Sequence, residues 1–320
     1  MTQSLRSISK VWKVLALSAL LVVSVSGVSA ASEKSVGVVF SGDLPRYKEA
    51  HEAFVAALGK AGFDQSKVTI YVQTPNPDRM SWTNSVKKFI GVDVDVIVTY
   101  GAPAALTALR ESSSVPVVFS YVYDPASCGT RKQNSTGVSS KVPMVTLLST
   151  LKSITPFSKL AVMYNPDEKD SVVQLDEITR NSQALGFQVV EVAVKSPSEA
   201  RGKISKAAGG CDSVYISCSA AVGKDLAGVI GVANKNKLPT ASQTSELADR
   251  GVLLALAPSS VEQGEIAARQ VAQILKGAQP SAIPVETSKK VNMVLNMKTA
   301  GALSLKVPFD VLNAATKVIK

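Results

Sequence analysis

The chain has 320 residues, 46% of them apolar and 19% charged, with a formal charge of +10. That length is enough for two domains of ordinary size, each burying its own core, and the composition is that of a water-soluble globular protein. A single histidine excludes multi-histidine metal sites, the three cysteines have no zinc or cluster spacing, and the lysines are scattered without interleaved aromatics, which argues against a nucleic-acid platform.

At the N-terminus Arg6, Lys10 and Lys13 precede an apolar run at 14–25, and the small residues Val28, Ser29 and Ala30 follow. Basic, apolar and small in that order is a secretory signal peptide, and the run is short of the ~20 residues of a comfortable membrane-spanning helix. Residues 1–30 are therefore predicted to be removed near Ala30, leaving a periplasmic protein; an uncleaved anchor is the alternative. No cysteine stands at the cleavage region, so a lipid anchor is not indicated. Loss of the three basic residues lowers the formal charge from +10 to +7, since residues 1–30 contain no acid.

The mature chain opens on a β-branched run at 35–40 that reads as a buried parallel strand. After the polar loop Ser41-Gly42-Asp43-Leu44-Pro45, Tyr47, Ala50, Phe54, Ala57 and Leu58 recur at helical spacing, and Gly62 sits where a helix ends in a left-handed residue. Strands are then predicted at 68–72, 94–99 and 115–120, with helices at 81–90 and 103–111 between them. This alternation is that of a doubly wound parallel sheet. The passage 125–137, rich in turn residues, reads as a loop at the rim of a cleft.

A second unit repeats the first. Residues 36–63 align without a gap on 160–187, pairing Asp43 with Asp167, Gly62 with Gly186 and Phe63 with Phe187. Strands are predicted at 160–164, 188–194, 213–217, 240–242 and 252–257, then an amphipathic helix at 261–276, a strand at 291–295 and a last helix at 298–303. The predicted fold is α/β, with two Rossmann-like lobes and a cleft between them. Cys211 and Cys218 flank a strand and lie too far apart to pair, because a disulfide needs Cα atoms within ~7 Å. A bridge from Cys128 would hinder lobe opening, so three free thiols are expected.

In such sheets the crevice lies outside the carboxyl ends of the strands. The first unit places Ser41, Gly42, Asp43, Tyr100, Gly101, Ala102, Tyr121, Tyr123 and Asp124 there. The second places Asn165, Asp167, Ser171, Cys218, Ser219, Gln243 and Thr244, followed by Pro258 and Ser259. These are the candidate ligand contacts. Each has a plainer reading: Asp43 and Ser171 as helix caps worth ~1 kcal/mol, Asn165-Pro166 as a turn signal, and only one of Tyr121 and Tyr123 facing the crevice, since they alternate.

Tyr164-Asn165-Pro166 with Ser171, the repeated Gly-Phe helix endings, and the tail segments at 274–277, 283–287 and 294–300 (Ile-Leu-Lys-Gly, Ile-Pro-Val-Glu-Thr and Val-Leu-Asn-Met-Lys-Thr-Ala) resemble the ABC-transporter substrate-binding family with the type I periplasmic-binding-protein fold. The resemblance runs from about Val36 to Leu312, and members of the family include binders of aromatic amino acids. It implies two lobes joined by a three-segment hinge: residues 31–138 plus 258–282 as lobe one, and 139–257 plus 283–320 as lobe two. Two departures stand out, Gln243 where relatives often carry an acid, and Ser217-Cys218-Ser219-Ala220 after the strand at 213–217. An α-ammonium group in a closed cleft wants a carboxylate, so that role falls to Asp43 or Asp124, or the cargo is not an amino acid.

Catalysis is not expected. No nucleophile elbow, Walker loop or dinucleotide fingerprint follows a predicted strand, His51 reads as a solvated helix residue, and paired-carboxylate chemistry between Asp43 and Asp124 is the minor alternative. The expected function is capture of a small organic ligand, an amino acid or related carboxylate, for delivery to an ABC permease by a monomer without cofactor or metal. A ligand sensor presenting its cargo to a membrane receptor or kinase is the rival.

Overall fold

Residues 34–320 are described by the computed structural model, so the expected signal peptide and its cleavage point lie outside the described residues. The first unit runs β1 (Lys34–Phe40), α1 (Pro45–Lys60), β2 (Val68–Gln73), α2 (Arg79–Gly91), β3 (Val96–Tyr100), α3 (Ala102–Glu111) and β4 (Val117–Val122). Alternation along β1 explains the layers: Val36, Val38 and Phe40 pack with Phe54 and Leu58 of α1 on one face, while Val39 joins Val86 and Phe89 of α2 on the other. Where the sequence predicts a loop, the chain forms the short helix α4 (Pro125–Cys128) and a strand, β5 (Ser135–Ser139).

The second unit continues with α5 (Met144–Ile154), β6 (Lys159–Tyr164), α6 (Lys169–Ser182), β7 (Gln188–Ala193), α7 (Pro197–Ala207), β8 (Ser213–Ile216), α8 (Ala220–Lys224), α9 (Leu226–Lys235), β9 (Thr240–Ser242), α10 (Glu246–Asp249) and β10 (Leu254–Pro258). The tail adds α11 (Ser260–Leu275), β11 (Glu286–Thr287), β12 (Val291–Asn296), α12 (Met297–Ala302), α13 (Phe309–Ala314) and β13 (Lys317–Ile319). Two sheets result, ordered β2-β1-β3-β4-β5-β11 and β7-β6-β8-β9-β10-β12-β13. Their first five strands share one order and pair in parallel, so the repeat seen in the sequence is a repeat of topology. Among the described residues the one antiparallel pairing is β10 with β12; β13 pairs in parallel with β12, so both run against the other five strands of their sheet.

Three segments cross between the sheets, after β5, after β10 and after β11. The third comes later than the resemblance implies: Glu286 and Thr287 pair with Val138 and Ser139 of β5, so the chain from Ile283 to Thr287 stays with the first sheet. Thr136 Oγ1 donates to the Ile283 carbonyl at 2.9 Å, which fixes that edge. The crossings are tied together by the first turn of α11. Gln263, fully buried, donates to the Ser139 carbonyl at 2.7 Å and accepts from Ser120 Oγ at 3.0 Å and Tyr121 N–H at 3.1 Å. Glu262 accepts from Lys290 N–H at 2.7 Å and from the Ser288 hydroxyl.

Candidate functional site

On the lobe-one side of the crevice, β1 ends at Ser41, whose N–H donates to the Tyr100 carbonyl at 2.9 Å and whose hydroxyl accepts from Ala104 N–H at 3.1 Å. Gly42 is buried beside it, whereas Asp43 is exposed and paired with Lys48 at 2.6 Å. Three residues on, Arg46 and Tyr47 occupy the first turn of α1. Gly101, at φ 95°, links β3 to α3 and Ala102; a side chain there would meet Tyr47 Oη at 2.5 Å and Ser41 Oγ at 2.6 Å, so glycine lets the loops after β1 and β3 converge on Tyr47 of α1. Tyr100 is fully buried, with its ring edge-on to Phe40 and its hydroxyl without a hydrogen-bond partner. His51 is half-buried rather than fully solvated: four residues after Tyr47, it shares that face of α1 and stacks on Phe54, and burial lowers its pKa.

The end of β4 explains how both tyrosines are used. The β4–β5 register breaks between Phe119 and Val122, and Tyr121 adopts φ 59°, a left-handed conformation that a bulky side chain rarely accepts. Its hydroxyl donates to Ser260 Oγ at 2.7 Å, and its ring meets Tyr47 at 5.4 Å between centroids. Tyr123 enters a different cluster and donates to Glu177 of α6 at 2.8 Å. Asp124 caps α4 by accepting from Ser127 N–H at 3.1 Å and pairs with Lys141 at 3.3 Å.

On the lobe-two side, Asn165 is consumed by its own turn. Its Oδ1 accepts from Asp167 N–H at 2.9 Å, its amide donates to Glu168 at 3.0 Å, and its N–H donates to Ser171 Oγ at 3.0 Å. Asp167 is exposed, and Ser171 is buried in this turn. Glu168 gathers the next loop, accepting from Ser219 Oγ at 3.1 Å and Ala220 N–H at 2.9 Å. Asn165→Ala is therefore expected to lower unliganded stability by ~1 kcal/mol, the scale of a lost cap, which urea unfolding would measure; an unchanged midpoint would return Asn165 to the ligand. Cys218 is held by Gln174, whose amide donates to its sulfur at 2.8 Å while its carbonyl accepts from Tyr215 at 2.9 Å. Gln243 and Thr244 are buried after β9, and Gln243 Oε1 has no partner.

The two sides meet through groups in the first turns of helices. Arg46 of α1 pairs with Glu246 of α10, with side chains only 12% and 16% exposed. Glu246 Oε2 is buried without a partner. Burial opposes the Arg46 charge, but Glu246, with smaller help from Tyr47 and Tyr121, outweighs it and holds the pKa above the usual range. The guanidinium lies 4.7 Å from the Tyr47 ring centroid. Burial also pushes Tyr47 up to about 12, against the pull of Arg46. Asp170, in the first turn of α6, accepts from Tyr123 N–H at 3.2 Å and Cys128 Sγ at 2.9 Å. Burial raises its pKa to about 6 despite those bonds and the field of Arg46. Cys128, Cys211 and Cys218 are all free. Among the described residues no His, Cys, Asp and Glu cluster is placed to hold a metal ion.

Residues 35–319 match the family described as ABC transporter substrate binding protein. The chain belongs to that family. It is 25% identical over 282 residues to the tyrosine-binding protein of Clostridioides difficile (strain R20291), covering 86% of this chain and 82% of that protein. Among solved structures, a conserved domain protein of Vibrio cholerae O1 biovar El Tor superposes with a TM-score of 0.85 at 24% identity, covering 89% of this chain and 99% of that one. An ABC domain from Streptococcus pneumonia in complex with L-Trp gives 0.85 at 22% identity, covering 90% and 100%. A ligand-free, open substrate-binding protein with adhesive properties from Clostridium difficile gives 0.70 at 26% identity, covering 90% and 99%. The two-lobed type I periplasmic-binding-protein fold is thus the fold of this substrate-binding protein.

For a substrate-binding protein, the residues that reasoning from strand ends overlooks are Arg46, Tyr47, Glu168, Asp170 and Glu246. Glu168 stands at the N-cap of α6 and the other four sit in the first turns of helices, where Tyr47 reads as helix core. The signal was in the repeat: the offset that pairs Asp43 with Asp167 also pairs Arg46 with Asp170. Matched helix starts of opposite charge belong on opposite walls of one cleft.

Proposed function

We propose that this substrate-binding protein captures an amino acid with an aromatic side chain between its lobes and delivers it, in the periplasm, to an ABC permease. The observation that carries the reading is the buried, charge-complementary seam of Arg46, Glu246 and Asp170 beside the Tyr47, Tyr100 and Tyr121 rings. A guanidinium suits a carboxylate, buried carboxylates suit an ammonium group, and tyrosine faces and edges suit an aromatic side chain. The tyrosine-binding relative supports that class. Among the described residues no helix is long and apolar enough to cross a membrane, and residues 1–30 have the sequence of an export signal. Closure follows if cargo contacts that bridge both lobes exist only in the closed form.

A thermal-unfolding screen of the mature protein against the twenty amino acids, simple carboxylates and nucleosides tests the reading. At a hundredfold excess over Kd an aromatic amino acid is expected to add ~2.7 kcal/mol of stability. A response to simple carboxylates or nucleosides and to no amino acid would overturn it.

A further inference from the structure

The ammonium partner expected from the sequence is not available where the sequence puts it. Asp43 is exposed and engaged by Lys48, and Asp124 is engaged by Lys141 and by the N-terminus of α4. Asp170 already uses Oδ1 twice, for Tyr123 N–H and Cys128 Sγ. The loop from β9 into α10 is different. Gln243, only 6% exposed, has a buried Oε1 with no donor, and Glu246 has a buried Oε2 with no donor while its other oxygen holds Arg46. Two buried acceptors without donors within four residues are a demand for a donor, because unmet acceptors are strongly disfavoured away from water. The adjoining donor group, Arg46, is engaged with Glu246 itself and reaches it from the opposite lobe.

We propose that Glu246, seconded by Gln243, receives the ammonium group of the cargo, and that the cargo enters as a zwitterion by inserting into the Arg46–Glu246 pair. Its carboxylate takes Arg46 and its ammonium takes Glu246 Oε2 and Gln243 Oε1, so the ion pair that joins the lobes becomes two ion pairs joined through the ligand. This rests on the amino-acid reading above and deepens it. Neither a carboxylate nor an amine alone replaces both halves of the pair that insertion opens, so both charges are required.

Isothermal titration of the mature protein with L-tyrosine, 3-(4-hydroxyphenyl)propanoate, which lacks the ammonium, and tyramine, which lacks the carboxylate, tests this. Wild type is expected to bind L-tyrosine at least about 100-fold more tightly than either analogue, the scale of losing one partner of a buried charge pair. Glu246→Gln keeps an acceptor for Arg46 and is expected to lose about 30-fold or more for L-tyrosine but little for the propanoate. Gln243→Met, which removes no charge, is expected to lose about tenfold and serves if Glu246→Gln does not fold. Undiminished L-tyrosine binding by Glu246→Gln or, in its place, Gln243→Met overturns the inference while leaving the amino-acid reading intact. A wild type that binds no amino acid overturns both.

Discussion

Gly264→Ala is expected to destabilise the protein by about 3 kcal/mol and to weaken cargo binding with it. The direction runs against helix propensity, by which alanine in place of a mid-helix glycine should gain up to ~1 kcal/mol. The reason is backbone contact. A Cβ on Gly264 would lie 2.8 Å from Phe54 N, 2.9 Å from the Ala50 carbonyl carbon and closer still to its oxygen. No side-chain rotation relieves a clash with backbone, so α11 and α1 must move apart, and each carries candidate cleft residues. Arg46 and Tyr47 stand at the start of α1; Ser260, Glu262 and Gln263 stand at the start of α11, where they bond Tyr121 and the crossings. Gly202 in α7 is the control, with nothing near its missing side chain, and Gly202→Ala should be neutral or stabilising. Paired urea titrations decide it: two variants that behave alike would mean that α1 and α11 are not locked through their backbones.

Much of this arrangement is legible in the sequence because it rests on burial. Val36, Val38 and Val39 announce a strand covered on both faces, and the gapless repeat at 160–187 announces a second similar unit, whose strand order only the structure gives. β5 is not legible, since Ser-Thr-Gly-Val-Ser has the composition of a turn; it is a strand because β4 and β11 flank it and Gln270 of α11 donates to the Gly137 carbonyl at 3.1 Å. Its neighbour β11 is two residues long, too short for any periodicity. The cleft divides in the same way. Strand ends name Ser41, Gly101, Cys218 and Gln243 as candidates, because topology alone puts strand ends at the crevice. Arg46, Asp170 and Glu246 are set by which turn of which helix points across it, and that depends on how the lobes meet. Asn165 shows the converse: a polar residue at a strand end whose bonds all turn back into its own loop.

Asp170→Asn should make the unliganded protein more stable at pH 7, by up to about 3 kcal/mol, and the gain should depend on pH in a particular way. Burial lifts the Asp170 carboxyl to about 6, with Glu168 adding to the rise and the Cys128 thiol, Tyr123 N–H and Arg46 opposing it. The unfolded chain has the ordinary value of 3.8. Between roughly pH 4 and 6 the native state therefore binds more protons than the unfolded state, and this group's contribution to stability falls as pH rises through that window. Asparagine does not titrate and keeps a carbonyl for both donors at Oδ1, so the variant escapes the loss. The gain should be near zero at pH 4, grow through pH 5 and 6, and level off above about 7. Asp95, Asp124, Asp212 and Glu262, all held below their ordinary values, contribute the opposite slope, lost as pH falls. They are common to both proteins and cancel in the difference, which is why the difference rather than either curve is the measurement. A variant less stable than wild type at pH 7 would show that the ionised carboxylate is needed as a partner for Arg46. With the gain observed, Asp170 is a charge that its buried position holds at a cost, while Glu246 remains the partner that offsets Arg46 until a ligand supplies a carboxylate of its own.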